Sequence, residues 1–157
     1  MSFVAPNTPT VATEQDQSIT NHEFFPDLSL LEFRSGMRVD SVTTKERAVH
    51  ALYRAMLEVN GRLWAWADQQ KAQGINTLEA ATPKKGHPAG AIKKLYLTAV
   101  WSLAKAELVE RIPDYDTTNA GKDKADSLEP AAETYRRDAS WAINDIIGAP
   151  RSTIELI

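Results

Sequence analysis

The first residues to test for chemistry are the three histidines, because a neutral imidazole can bind a transition metal or move a proton near neutral pH. His22, His50 and His87 fall in an amino-terminal arm, on a helical stretch and in a loop, with no metal-ligand spacing among them. Gly86-His87-Pro88-Ala89-Gly90 lacks the Gly-Lys-Ser/Thr ending and the preceding strand of a phosphate loop. The serines, Ser102 and Ser140 among them, have no nucleophile-elbow context. Acidic residues gather at Asp114, Asp116, Asp123, Asp126, Glu129 and Glu133, but without the central glycine and terminal glutamate of a calcium loop. Their simplest role is to complement the dipole at a helix amino end. Lys84-Lys85 and Lys93-Lys94 are the one local basic concentration, a solvated surface or a contact for phosphate or an acidic partner. No catalytic, cofactor-binding or metal-binding set emerges, so the residues alone leave an enzyme unsupported and call for no cofactor.

Composition narrows the remaining classes. The chain has 157 residues, 43% hydrophobic and 25% charged, the size and mix of one globular domain. It has no cysteine, which removes disulfides, thiolate metal sites and thiol nucleophiles together and points to an intracellular setting. Eighteen basic against 21 acidic residues give a net charge of −3, with no basic excess for tight nucleic-acid binding. No run of about 18 apolar residues and no secretory leader pattern is present, so no membrane partner is expected.

The elements that would position any site are helical. Residues 1–23 carry Pro6, Pro9 and several threonines without hydrophobic period, and predict an extended or disordered arm. Order is expected to start at Phe24-Phe25-Pro26-Asp27, two aromatics before a helix-excluding proline. A short helix follows over Leu28 to Phe33. From about Lys45 to Gln73, Val49, Leu52, Tyr53, Met56, Leu57, Leu63, Trp64 and Ala67 recur at helical spacing, with Thr43 and Glu46 as a capping box and Gly74 as the stop. Asn60 falls on that stripe and must find partners there. A second helix is expected from Pro88 to Ile112, apolar on two faces: Ile92, Leu95, Tyr96, Ala99, Val100 and Leu103 on one, Leu97, Trp101, Ala104 and Leu108 on the other. Such a helix is central in its own bundle or also presented to another subunit. A third helix is expected from about 127 to 147, its stripe including Tyr135, Ile143 and Ile146, with Pro130 tolerable only in its first turn. The resulting class is all-α: a small bundle of three main helices plus a short amino-terminal one, spanning residues 24–149.

Residues 150–157 change character. Ile154 and Leu156 alternate with Thr153, Glu155 and Ile157, the period of a strand. A lone strand leaves backbone groups unpaired, so this tail predicts strand addition to a partner or docking in a groove, or else a tail folded back on its own helices.

Four stretches taken together carry a family resemblance. Phe24-Phe25-Pro26-Asp27, the run from Gly121 to Ser127, Arg136-Arg137-Asp138-Ala139-Ser140-Trp141-Ala142-Ile143, and Gly148-Ala149-Pro150-Arg151-Ser152-Thr153-Ile154 stand in order along residues 24–157. In this the chain resembles the phage head completion (head stabilisation) proteins, often labelled GpL, of temperate contractile-tailed bacteriophages. Pro130 departs from the pattern. The resemblance implies a head-tail connector, or adaptor, that assembles as a ring, expected to be a dodecamer, on the phage portal protein. It would close the DNA-filled head and offer a platform for tail attachment.

The partners so implied are the portal, copies of the chain itself and a downstream tail terminator or neck protein. DNA would be met only in non-specific passage through the channel. The location implied is the head-tail neck of the virion, with assembly in the host cytoplasm. Ile154, Leu156 and Ile157 become candidate portal contacts, with Arg151 as a polar guide. Phe24, Phe25, Leu97, Trp101 and Leu108 become candidates for the subunit interface, although Phe24 and Phe25 suit anchoring within their own subunit better. Trp141 divides between interface and bundle core, with the core favoured. The alternative is a helical DNA-binding packaging or regulatory module, which would use Arg136 and Arg137.

Overall fold

The computed structural model describes residues 16–111 and 119–151, with side-chain surroundings for 16–111 and 130–151. The arm before Asp16, the loop expected at residues 114–121 up to Thr118, and the tail from Ser152 onward lie outside the described residues. The architecture is all-α, as expected. A two-residue hairpin of β1 (Ser18–Ile19) and β2 (Leu28–Ser29) leads into α1 (Leu30–Gly36). Then come α2 (Lys45–Ala72), a single 3-10 turn (Leu78–Ala80), α3 (Ala91–Glu110) and α4 (Asn119–Ile147).

Order already exists before Phe24. Asp16 accepts hydrogen bonds from the Ser29 hydroxyl (2.7 Å) and the Leu31 amide (3.0 Å), which holds its carboxyl below the usual range and neutralises the start of α1. Ile19 is buried, and residues 16–23 are extended and docked onto the helices. The sequence shows no period here because the segment is held by polar side chains rather than by a hydrophobic stripe.

Alanines set the packing of α2. Its buried positions are Ala48, Ala51, Leu52, Ala55, Met56, Val59, Leu63 and Ala67. Tyr53, Leu57 and Trp64, expected on the inner face, are instead 48%, 53% and 42% exposed. The inner stripe is rotated away from the bulky residues because the small ones let α3 approach closely, and close packing decides which face turns inward. The cap is also displaced by one residue. Thr44, not Thr43, accepts from the Arg47 amide (3.3 Å), because Thr43 is tied into the preceding turn by Asp40 and Arg34. At the far end the prediction is met: Gly74, at φ +82°, closes a Schellman motif in which Ile75 donates to Gln70 (3.0 Å) and Gly74 to Lys71 (2.9 Å).

The second helix, α3, starts at Ala91 rather than Pro88, whose carbonyl instead accepts from the Ala91 amide in the preceding turn. It lies between α2 and α4 and buries residues around most of its girth, from Ile92 and Tyr96 to Leu108 and Val109. Its two apolar faces thus pack largely within its own bundle, while Leu95, Leu97, Trp101 and Leu103 stay partly exposed. The last helix, α4, begins well before residue 127, so Pro130 stands inside it rather than in its first turn. Pro130 is solvent-exposed, where loss of one backbone hydrogen bond is least costly, and its carbonyl accepts from the Thr134 hydroxyl (2.9 Å).

The arm, α2 and α3 meet at a closed polar ring. The Asn21 amide nitrogen donates to the Tyr96 hydroxyl, Tyr96 donates to the Asn60 side-chain oxygen, and the Asn60 nitrogen donates to the Asn21 oxygen, each at 2.8 Å. Asn60 is thus the satisfied core asparagine that its place on the stripe required. Phe25 stacks on the Tyr96 ring at 5.3 Å, and Phe24 meets Trp66 edge-on at 6.0 Å.

Burial pushes the Tyr96 hydroxyl well above the ordinary phenol range, since the ring cannot hold a phenolate. A raised folded value makes this contribution complete below the unfolded phenol value near 10 and lost as pH climbs beyond it. Tyr96→Phe leaves an Asn60 acceptor and an Asn21 donor without partners. It is expected to lower unfolding free energy by about 1–3 kcal/mol in urea melts at pH 7 and to weaken the alkaline decline of stability above pH ~10.

Candidate assembly surfaces

The end of α4 is the most completely built polar feature near a chain segment with an unassigned role. Gly148, at φ +81°, turns the backbone, and the Ala149 amide donates back to the Asn144 carbonyl at 2.9 Å, closing a second Schellman motif. The Asn144 side chain donates to the Pro150 carbonyl (3.3 Å). Arg151 then folds back: its guanidinium grips the Asp145 carboxylate with two hydrogen bonds and lies 5.4 Å from the Trp141 ring centre. Arg137 lies 4.7 Å from the same ring. Pro150 and Arg151 are therefore held against the end of α4 by hydrogen bonds, an ion pair and a cation–π contact.

The Arg151 guanidinium holds the Asp145 carboxyl below its usual range, against a smaller opposing effect of burial, and the nearby Lys84 and His87 add to the lowering. The sign follows. A depressed folded value means stabilisation that is present above the unfolded carboxylate value near 4 and disappears as pH falls through the folded value. Asp145→Asn is expected to remove this part of the acid loss, so that its urea midpoint falls less than that of the parent chain between pH 5 and 3.

The residues singled out from the sequence separate into four groups. Phe24, Phe25 and Leu108 are 1%, 4% and 6% exposed. Their placement corrects the interface assignment: they serve the chain's own core and have almost no surface to offer a neighbour. Leu97 and Trp101 are half-buried against that core. The Trp101 ring presses on α1 so closely that a Cβ on Gly36 would come within 3.0 Å of it, and its indole nitrogen is buried without a hydrogen-bond partner among the described residues. Arg151 is engaged by Asp145 and Trp141 of its own chain. Ile154, Leu156 and Ile157 lie outside the described residues.

Sequence reasoning missed an exposed surface on α2. Tyr53, Leu57 and Trp64 share one flank at steps of four and seven residues, so they run about 16 Å along the helix. Trp64 is partly covered by His22, which meets it edge-on at 5.0 Å, and by the Lys71 ammonium. Between Leu57 and Trp64 stands Gly61, where an added Cβ would find nothing within 4 Å. A mid-helix glycine with open space around it was the available signal. Gly61→Ala is expected to stabilise the isolated chain by about 0.5–1 kcal/mol, read from a higher denaturant midpoint.

No feature of the described residues resembles a catalytic centre. Two grooves of about 420 and 440 Å³ flank the carboxyl-terminal half of α3, and several of their charges are paired. Glu107 faces Arg54 (3.6 Å) and Arg111 (3.2 Å), and Arg136 pairs with Glu110 and Glu133. Hydrogen bonding to Glu110 raises Arg136 further above its ordinary value. No cluster of three metal-ligating side chains exists among the described residues, and none of their helices is long and apolar enough to cross a membrane.

Comparison with known proteins supplies the context for these surfaces. The family model for phage head completion protein (GPL) matches residues 19–157. A head completion/stabilization protein of Escherichia phage P2 is 33% identical over 140 residues, covering 88% of this chain and 82% of that protein. No solved structure matches significantly.

Proposed function

Because the chain belongs to the phage head completion protein family, a structural family of the virion rather than one of enzymes, we propose that it completes the head as a ring seated on the portal, closing the DNA-filled head and presenting a platform for the tail. The observation that carries this reading is the clamp at the end of α4. Gly148, Asn144, Asp145 and Trp141 fix Arg151 in place, and the next six residues include Ile154, Leu156 and Ile157. A rigidly aimed stem followed by alternating apolar residues suits insertion into a groove or addition to a sheet edge of a partner. On this reading the portal is the partner and the head-tail neck is the location.

The helical faces agree with a connector more than with the DNA-binding alternative. Arg136 is occupied by Glu110 and Glu133, and Arg137 by Trp141 and Asp138, so α4 offers no row of free arginines there for a groove of DNA. A net charge of −3 suits a channel wall along which DNA slides.

The test is light scattering of the purified chain with the portal protein of the same phage, repeated on a version ending after Arg151. The full chain is expected to join the portal as a ring, and the shortened one to remain free although folded. Equal binding by both would remove the tail from the mechanism. Binding by neither would overturn the portal reading.

A further inference from the structure

Resting on the portal reading above, we propose that the end of the bundle from which residues 152–157 leave is a basic docking face. The portal surface it meets is acidic, with carboxylates around the site that takes the tail.

The chain carries a net charge of −3, yet four cations stand together at this end. Arg137 and Arg151 converge on the Trp141 ring, 4.7 and 5.4 Å from its centre. Lys84 reaches over from the loop before α3 to the turn that ends α4, so that a Cβ on Gly148 would stand 4.0 Å from its Cε. Lys85 and His87 follow on the same exposed loop.

The carboxylates here do not cancel these charges outward. The Asp145 side chain is 18% exposed and that of its partner Arg151 is 55% exposed, so the ion pair turns its positive side to solvent. Lys84 and His87 lie close enough to act on the same carboxylate. Asp138 is 3.8 Å from Arg137, and Glu79 is taken by Lys93 at 2.5 Å. Lys84 and Lys85 form no ion pair among the described residues. The acidic residues in the first half of α4, Asp123, Asp126 and Glu129, precede Asp145 by 16 residues or more, about 24 Å along the helix axis. Glu155 is the one acidic residue that the tail adds, against two lysines.

The face surrounds the origin of an apolar segment, and this selects protein over nucleic acid. Ile154, Leu156 and Ile157 need a groove or a sheet edge to bury them, which a protein offers and a phosphate backbone does not. With both arginines engaged by carboxylates, the remaining cations are too few for tight binding to a duplex. A protein that takes the tail and covers these cations matches them with carboxylates, which speeds encounter and fixes orientation more than it adds affinity.

The test is the rate of binding to the portal protein of the same phage, followed from 50 to 500 mM salt. Lys84 and Lys85 are exposed and stand outside the clamp, so a Lys84→Glu, Lys85→Glu chain is expected to keep its fold, checked by circular dichroism. Its association rate should fall about tenfold or more at 50 mM salt and approach that of the parent at 500 mM. A Lys84→Gln, Lys85→Gln chain should fall between the two. A Lys122→Glu, Lys124→Glu chain, which makes the same change in net charge on the first turns of α4, should bind as the parent does. Portal binding by all four chains at one rate overturns this inference and leaves the portal reading standing. An equal loss in the Lys122, Lys124 variant reduces the effect to net charge and also overturns it. Salt-sensitive retention of duplex DNA that disappears with Lys84 and Lys85, while portal binding is unchanged, assigns the face to DNA instead. A parent chain that does not bind the portal at any salt removes the portal reading and this docking face with it.

Discussion

A head-to-tail ring of three hydrogen bonds among Asn21, Asn60 and Tyr96 sets the geometry of this chain. Each member comes from a different part of the sequence, and each fixes what lies next to it. Asn21 also donates to the Pro26 carbonyl and takes the Asp27 carboxylate on its backbone amide, which closes the turn carrying Phe24 and Phe25. The two phenylalanines can then wedge under the arm, and the Phe24 carbonyl accepts from Leu78 at 2.7 Å, joining the 3-10 turn to the same corner. A buried polar network of this kind is stable only when every member is satisfied, which makes the arrangement specific as well as firm.

The second constraint is the size of the residues on the inner side of α2. Alanine at 48, 51, 55 and 67 brings α3 close, and α3 in turn packs along α4, while α2 and α4 barely touch. A three-helix body in this order has one central helix, buried over most of its girth, and two outer ones. Most of the apolar surface of α3 is used inside the bundle, and the bulky residues displaced by alanine packing appear on the outside of α2. Surface for partners therefore arises from the helix that looked most conventional.

This explains which parts were legible in the sequence. The existence and order of the helices, the stop at Gly74, the partnered Asn60 and the anchoring role of Phe24-Phe25 all follow from local rules, because caps, breakers and periodicity act over a few residues. The orientation of α2 did not, since counting large apolar residues at helical spacing overlooks alanines whose contribution is proximity. The start of α4 was missed because Pro130 reads as a boundary, although an exposed position can absorb it. The clamp on Arg151 was not legible, because it depends on Asp145 and Trp141 facing one side of the helix end.

That clamp also limits where a partner can be. Six residues follow Arg151, and fully extended they span about 20 Å. Any surface that receives Ile157 must therefore come within that distance of the Arg151 backbone. For a partner already touching this end of the bundle, a tether so short raises the local concentration of the apolar segment to about the millimolar range. Capture then becomes an intramolecular step, and a modest groove suffices to hold it.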